Sequence, residues 1–124
     1  MKITLIIGLP ASGKTTFAEE RFPDACLVDD PVSLLDLPKP DTVEHLVISD
    51  PSFCVDRTLA FCEKCLVQTY GEVEIERIYF VNDPEQCRKN AQNRRGKMVD
   101  SYISYLTEKY NPPRVDQQVW RKNV

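Results

Sequence analysis

Apolar and polar positions follow two different periods along this chain. Residues 2–8 form a near-continuous apolar run, Ile3, Leu5, Ile6 and Ile7 around a single Thr4, ending at Gly8. A short run with no polar face is the signature of a strand buried on both sides of a parallel sheet. Residues 45–50 (His-Leu-Val-Ile-Ser-Asp) repeat the pattern and stop at Pro51. Residues 25–29 and 74–81 are two further strand candidates, the latter with Ile75, Ile78, Phe80 and Val81 as core positions. Between them the period lengthens. Residues 14–21 read as a short helix stopped by Pro23. Residues 53–70 place Val55, Leu59, Cys62 and Leu66 at helical spacing before Gly71. Asn82-Asp83-Pro84 opens a polar helix over residues 85–95, and residues 99–110 carry Ile103, Leu106 and Tyr110 on one side. Residues 30–44 read as loop with a turn of helix near 32–37, and Gln118–Trp120 as a last edge strand.

Strands alternating with helices predict an α/β fold with three layers and a mostly parallel sheet of four to five strands. With 124 residues the chain suits one domain and one core. Hydrophobic (42%) and charged (28%) contents are those of an ordinary globular protein, and the longest apolar run is far too short to span a bilayer. No membrane partner is expected. The net charge of −3 does not favour nucleic acid, but the charge is uneven: residues 1–52 hold 4 basic and 9 acidic side chains, residues 84–124 hold 9 and 4. Five cysteines and no secretory signal imply reduced thiols in the cytoplasm. Cys62-x-x-Cys65 lies within a helix, has no second pair and shares the chain with one histidine, so it reads as two packed thiols rather than a zinc or redox site.

Chemistry concentrates at Gly8-Leu-Pro-Ala-Ser-Gly13-Lys14-Thr15, which satisfies G-x-x-x-x-G-K-[ST] between a strand and a helix. The glycines let the loop turn its N–H groups inward, and the following helix offers unpaired amides to a phosphate. Gly8, Pro10, Ala11, Ser12, Gly13, Lys14, Thr15 and Thr16 are therefore the candidate triphosphate contacts. The Lys14 ammonium suits the β- and γ-phosphates and the Thr15 hydroxyl suits Mg²⁺. Asp50, closing a buried strand, is the second candidate metal partner; the competing role is a cap before Pro51. Asp29 and Asp30 close the second strand, where an open α/β sheet faces its ligand, and either can take a proton from an acceptor hydroxyl. Arg88 and Arg95 share a helix face beside Arg94. They make residues 84–98 a candidate lid placing positive charge over the transferred phosphoryl group. The competing reading is a solvated helix with pairs such as Glu85–Lys89. No Asn-Lys-x-Asp element selects guanine, which leans the reading to ATP.

In order, these parts resemble the P-loop kinase group, and in particular the kinase domain of phage polynucleotide kinase. The resemblance rests on Ile-Ile-Gly-Leu-Pro-Ala-Ser-Gly-Lys-Thr-Thr-Phe-Ala at the loop. It rests also on Ile78-Tyr-Phe-Val-Asn-Asp-Pro-Glu-Gln-Cys-Arg-Lys-Asn-Ala-Gln-Asn-Arg-Arg-Gly at the fourth strand and lid. The resemblance implies a P-loop NTPase fold, with Lys14 and Thr15 on ATP and Mg²⁺. It implies Asp29 or Asp30 as general base and Arg94 or Arg95 as the lid arginine. Transfer would run to a nucleic-acid 5′-hydroxyl or a small metabolite alcohol. Residues 30–44 depart from that family: they are few and contain no Arg. A nucleotide-binding interaction module with little turnover is the alternative, and an assembly-coupled ATPase a third.

Overall fold

The computed structural model describes residues 1–30, 36–92 and 97–121, the side chains of 97 and 98 excepted. Four strands, β1 (Lys2–Ile7), β2 (Cys26–Asp29), β3 (His45–Ser49) and β4 (Glu74–Tyr79), form one sheet in the order β2-β3-β1-β4. All three pairings are parallel, with Ile3 opposite Leu46 and Ile75, and Val28 opposite Ile48. The α/β class and the parallel sheet are as the apolar runs imply. Four helices complete the described chain: α1 (Lys14–Arg21), α2 (Asp56–Tyr70), α3 (Pro84–Asn90) and α4 (Lys97–Lys109).

β1 lies between β3 and β4, and its residues from Ile3 to Ile7 are all buried. Alternation divides them between two faces. Ile3, Leu5 and Ile7 join Leu46 and Ile48 in the larger core with Phe53, Leu59 and Leu66, and with Ile103, Leu106 and Tyr110 of α4. Ile6 joins Val47 and Phe80 on the other face, where Ala18 of α1 covers them and Phe17 meets Phe80 edge-on at 5.5 Å. Thr4 shares that second face, and its hydroxyl pairs with His45 Nε2 at 2.8 Å. The chain's single histidine is thus a cross-strand partner.

Three boundaries differ from the periodic reading. The segment before α2 is not one continuous helix with it. Pro51–Cys54 forms a 3₁₀ turn capped by Asp50, and Val55 adopts extended backbone before α2 begins. α3 is described only as far as Asn90, with a turn at residues 91–92. The expected edge strand at 118–120 is one bridge, between Phe80 and Gln117. Around it the main chain of Asp116 and Gln117 donates to Tyr79 O, and Val81 N donates to Gln117 O. After that short contact the chain leaves the sheet edge, because Trp120 N donates to Ser12 O at 2.9 Å. The turn expected near 32–37 lies largely outside the described residues.

Tyr110 ties the end of β1 to the end of β4. Its buried hydroxyl donates to Ile7 O at 3.2 Å and to Phe80 O. Ile7 O also accepts from Phe80 N, so Phe80 O loses more when the hydroxyl is removed. Tyr110→Phe is expected to lower unfolding free energy by about 1–3 kcal/mol, the cost of an unpaired buried polar group. Urea denaturation of the two proteins side by side measures it.

Candidate functional site

The sheet order creates one point at which neighbouring strands send their connections to opposite sides. β1 leads through α1 to β2, while β3 leads through α2 to β4. The crevice outside the carboxyl ends of β1 and β3 is where open α/β sheets take ligands. A cavity of about 180 Å³ opens there, lined by Pro10, Ala11, Ser12, Gly13, Lys14, Thr15 and Thr16 from the loop and α1. Asp29, Asp30, Pro51, Asn90 and Trp120 complete the wall.

The loop is fixed by local backbone and by contacts from far along the chain. Ala11 (φ 62°) and Gly13 (φ 93°) both adopt left-handed backbone. For Ala11 this is a strained conformation, common at ligand clamps. An added Cβ at Gly13 would lie 2.4 Å from Trp120 Cβ, so this position admits only glycine on two counts. At Gly8 the same atom would meet Phe80 Cβ at 2.9 Å. Gly13 is also the N-cap of α1 and supplies no side-chain acceptor, leaving the first-turn amides without a side-chain cap.

Lys14 turns back under this loop. It is 6% exposed, and its Nζ donates to Gly8 O at 3.0 Å and Leu9 O at 2.8 Å. Burial pushes its pKa below the ordinary lysine value, opposed among others by the Asp30 and Asp29 carboxylates. An ammonium has three N–H bonds, so these two carbonyls leave donor capacity beside the cavity. The Ser12 hydroxyl is buried without a hydrogen-bond partner among the described residues. Orphaned polar atoms of this kind are costly unless a ligand or water satisfies them.

The acids divide their tasks differently from the sequence expectation. Thr15 Oγ1 donates to Asp29 Oδ2 at 3.0 Å, so the hydroxyl expected on a metal is paired with β2 rather than with Asp50. Asp50 uses Oδ1 to accept from Ser52 N at 2.9 Å, which is the cap geometry weighed against a metal role. Asp30 has left-handed backbone (φ 49°) and donates its N–H to Ser49 O at 2.8 Å. Partial burial, then the Asp29 and Asp50 charges, raise its pKa above the usual carboxylate value, against Lys14.

Of the cationic group, Arg88 does not line the cavity. Its Nε donates to Asp100 Oδ1 at 2.9 Å and its Nη2 to Ser104 Oγ at 2.8 Å, binding α3 to α4. In this structure Arg88 is a helix–helix tie, because α4 presents an acid and a hydroxyl within its reach. Lys89 and Glu85 form the expected exposed pair at 3.7 Å. Arg94 and Arg95 lie outside the described residues.

One side chain that periodicity did not single out fastens the loop. Asn90, 7% exposed, donates from Nδ2 to Ala11 O at 2.9 Å and to Trp120 O at 2.6 Å. In sequence it is one polar residue in a polar helix, and nothing there marks it as buried. The five cysteines are all free thiols. Burial pushes Cys54 up to about 12, and Cys62 and Cys87 up to about 11, so these three are inert thiols at neutral pH, in keeping with a packing role.

No group of three or more His, Cys, Asp or Glu residues suited to a metal occurs among the described residues, and no described helix is long and apolar enough to cross a membrane. No family model matches the chain. It is 31% identical over 116 residues to an uncharacterized protein of Acanthamoeba polyphaga mimivirus, a match covering 82% of this chain and 83% of the viral protein. The chain belongs to the same family as that viral protein.

The Asp30 shift has a definite sign. A carboxyl whose folded pKa is raised favours the protonated native state. It adds stability at low pH, and that stability is lost as pH rises through the folded pKa. Asp30→Asn keeps a residue that tolerates left-handed backbone and removes the charge. At pH 7 it is expected to melt a few degrees higher than the parent, and the difference should shrink as pH falls toward the free carboxyl value of 3.8. Thermal melts at several pH values test this.

Proposed function

We propose that this protein is a small ATP-dependent kinase of P-loop type, transferring the γ-phosphate to a hydroxyl acceptor. The observation that carries the reading is the buried Lys14 ammonium. It sits in a glycine-bounded loop at the end of the central strand, in a cavity walled on the facing strand by Asp29 and Asp30. The resemblance of residues 8–15 to P-loop kinases supports it, as does the sheet order that opens a crevice beside that loop.

In this reading the first-turn amides of α1 and the Lys14 Nζ hold the triphosphate, with phosphate oxygens replacing the carbonyls of Gly8 and Leu9 as Lys14 acceptors. The oxygen donors Thr15 and Asp29, with Asp50 acting through water, fit Mg²⁺, which takes one or two carboxylates and leaves its other positions to phosphate and water. When bound, that ion offsets charge on the β- and γ-oxygens. Asp30 is the better general base of the pair, since its carboxyl makes no hydrogen bond to Thr15 and its proton affinity is raised. It takes the acceptor's hydroxyl proton as the new O–P bond forms and the bond to the β-phosphate oxygen breaks. Arg94 and Arg95 supply the lid charge, as the resemblance implies. The five free thiols support a reducing compartment, the cytoplasm.

A binding module with little turnover is favoured by one feature: residues 30–44 are short and carry no Arg with which to grip a phosphorylated acceptor. Transfer of γ-labelled phosphate from Mg·ATP separates the two readings. Suitable acceptors are 5′-hydroxyl DNA and RNA oligonucleotides, nucleosides and small alcohols. Label on one acceptor, absent with Lys14→Ala, is the expected result. ATP binding with no label anywhere would favour the module, and free phosphate alone an ATPase. Lys14→Ala should abolish triphosphate binding in calorimetry while keeping the fold. Arg94→Ala with Arg95→Ala should leave Mg·ATP affinity nearly intact and slow transfer by about 10³-fold.

A further inference from the structure

The cavity beside Lys14 is lined mainly by the loop and the start of α1, which the triphosphate reading gives to the phosphates, leaving the base to its rim. One aromatic side chain borders that cavity among the described residues, and it is Trp120. Its main chain is held on both sides: the N–H donates to Ser12 O and the C=O accepts from Asn90 Nδ2. Its Cβ presses on Gly13, the cap of α1. Yet the residue is 47% exposed, unlike its neighbour Val119, which is 5% exposed and joins the core. An immobilised backbone carrying a half-exposed indole beside the cavity has the features a stacking platform needs. Every nucleobase offers a π-face to such a platform.

We infer that Trp120 stacks on the base of the bound nucleoside triphosphate and supplies most of the affinity that separates a nucleotide from a bare polyphosphate. The inference rests on the triphosphate reading above and adds to it the source of base recognition. Stacking selects weakly among bases, so ATP and GTP should bind within a few-fold of each other.

Trp120→Ala is a discriminating variant. Alanine keeps the Cβ that touches Gly13 and both main-chain hydrogen bonds, so it removes the ring and leaves the loop's supports. Calorimetry in Mg²⁺ compares ATP with inorganic tripolyphosphate on the parent, Trp120→Ala and Trp120→Phe. The expected result is a loss of ATP affinity of roughly 5- to 150-fold in the alanine variant, unchanged tripolyphosphate affinity, and substantial recovery with phenylalanine. Trp120 is the only tryptophan, so its fluorescence in the parent should change on adding ATP and not on adding tripolyphosphate. Equal losses for both ligands would make the ring a support of the loop and overturn the inference. So would no loss for either. If the parent binds neither ligand, the triphosphate reading itself falls and takes the inference with it. If the parent binds both while Trp120→Ala leaves ATP affinity unchanged, the inference alone falls.

Discussion

A cation has been taken out of water in this protein, and much of the site follows from how it is kept. A buried ammonium is costly unless hydrogen bonds replace its hydration. Lys14 finds them in the carbonyls of Gly8 and Leu9, which requires the loop to fold back over its own side chain. That path uses left-handed backbone at Ala11 and Gly13. The loop can hold such a shape only if its ends are immobile. β1 provides one fixed end, buried between two strands and tied through Tyr110 to the end of β4. α1 provides the other, with Ala18 packed into the smaller core.

The sheet order decides what faces that loop. Because β3 separates β1 from β2, the acids ending β2 stand across the crevice rather than against the loop's own strand. Asp29 reaches Thr15, Asp30 remains over the opening, and Asp50 is drawn into capping the turn that starts at Pro51. Three carboxylates near one lysine therefore occupy three electrostatic situations: one in a hydrogen bond to a hydroxyl, one with a raised proton affinity, one bound to a main-chain amide.

The fold was legible where burial writes itself into composition. Residues 3–7 and 46–49 are buried on both faces, and apolar but for Thr4 and Ser49, because α2 and α4 lie on one side and α1 on the other. Helices α2 and α4 were legible from spacing, to within a few residues. What escaped was tertiary. The break at Val55 depends on Asp50 capping a turn, and Asp50 could equally have been a metal partner on sequence grounds. Arg88 was assigned by its face of a helix, and only the placement of α4 reveals Asp100 and Ser104 as its partners. Nothing in the sequence marks Asn90 as buried against the loop, and Trp120 entered only as the end of a candidate edge strand. Their importance arises from contacts with residues 11–13, which lie nearly the whole described length of the chain away from Trp120. The glycine-bounded motif itself was the clearest local signal, since its residue types are dictated by backbone geometry and not by distant packing.

That long separation has a consequence for the order of events during synthesis. The loop at residues 8–15 leaves the ribosome well before the asparagine that fastens Ala11 and the tryptophan that leans on Gly13. Contacts of such high sequence separation form late, after the intervening chain has collapsed. A nascent chain thus carries a loop without these two fastenings until elongation has passed residue 120. A chain truncated before residue 90 would lack both fastenings of the glycine-bounded loop, and one ending between 90 and 120 would keep that of Asn90 alone.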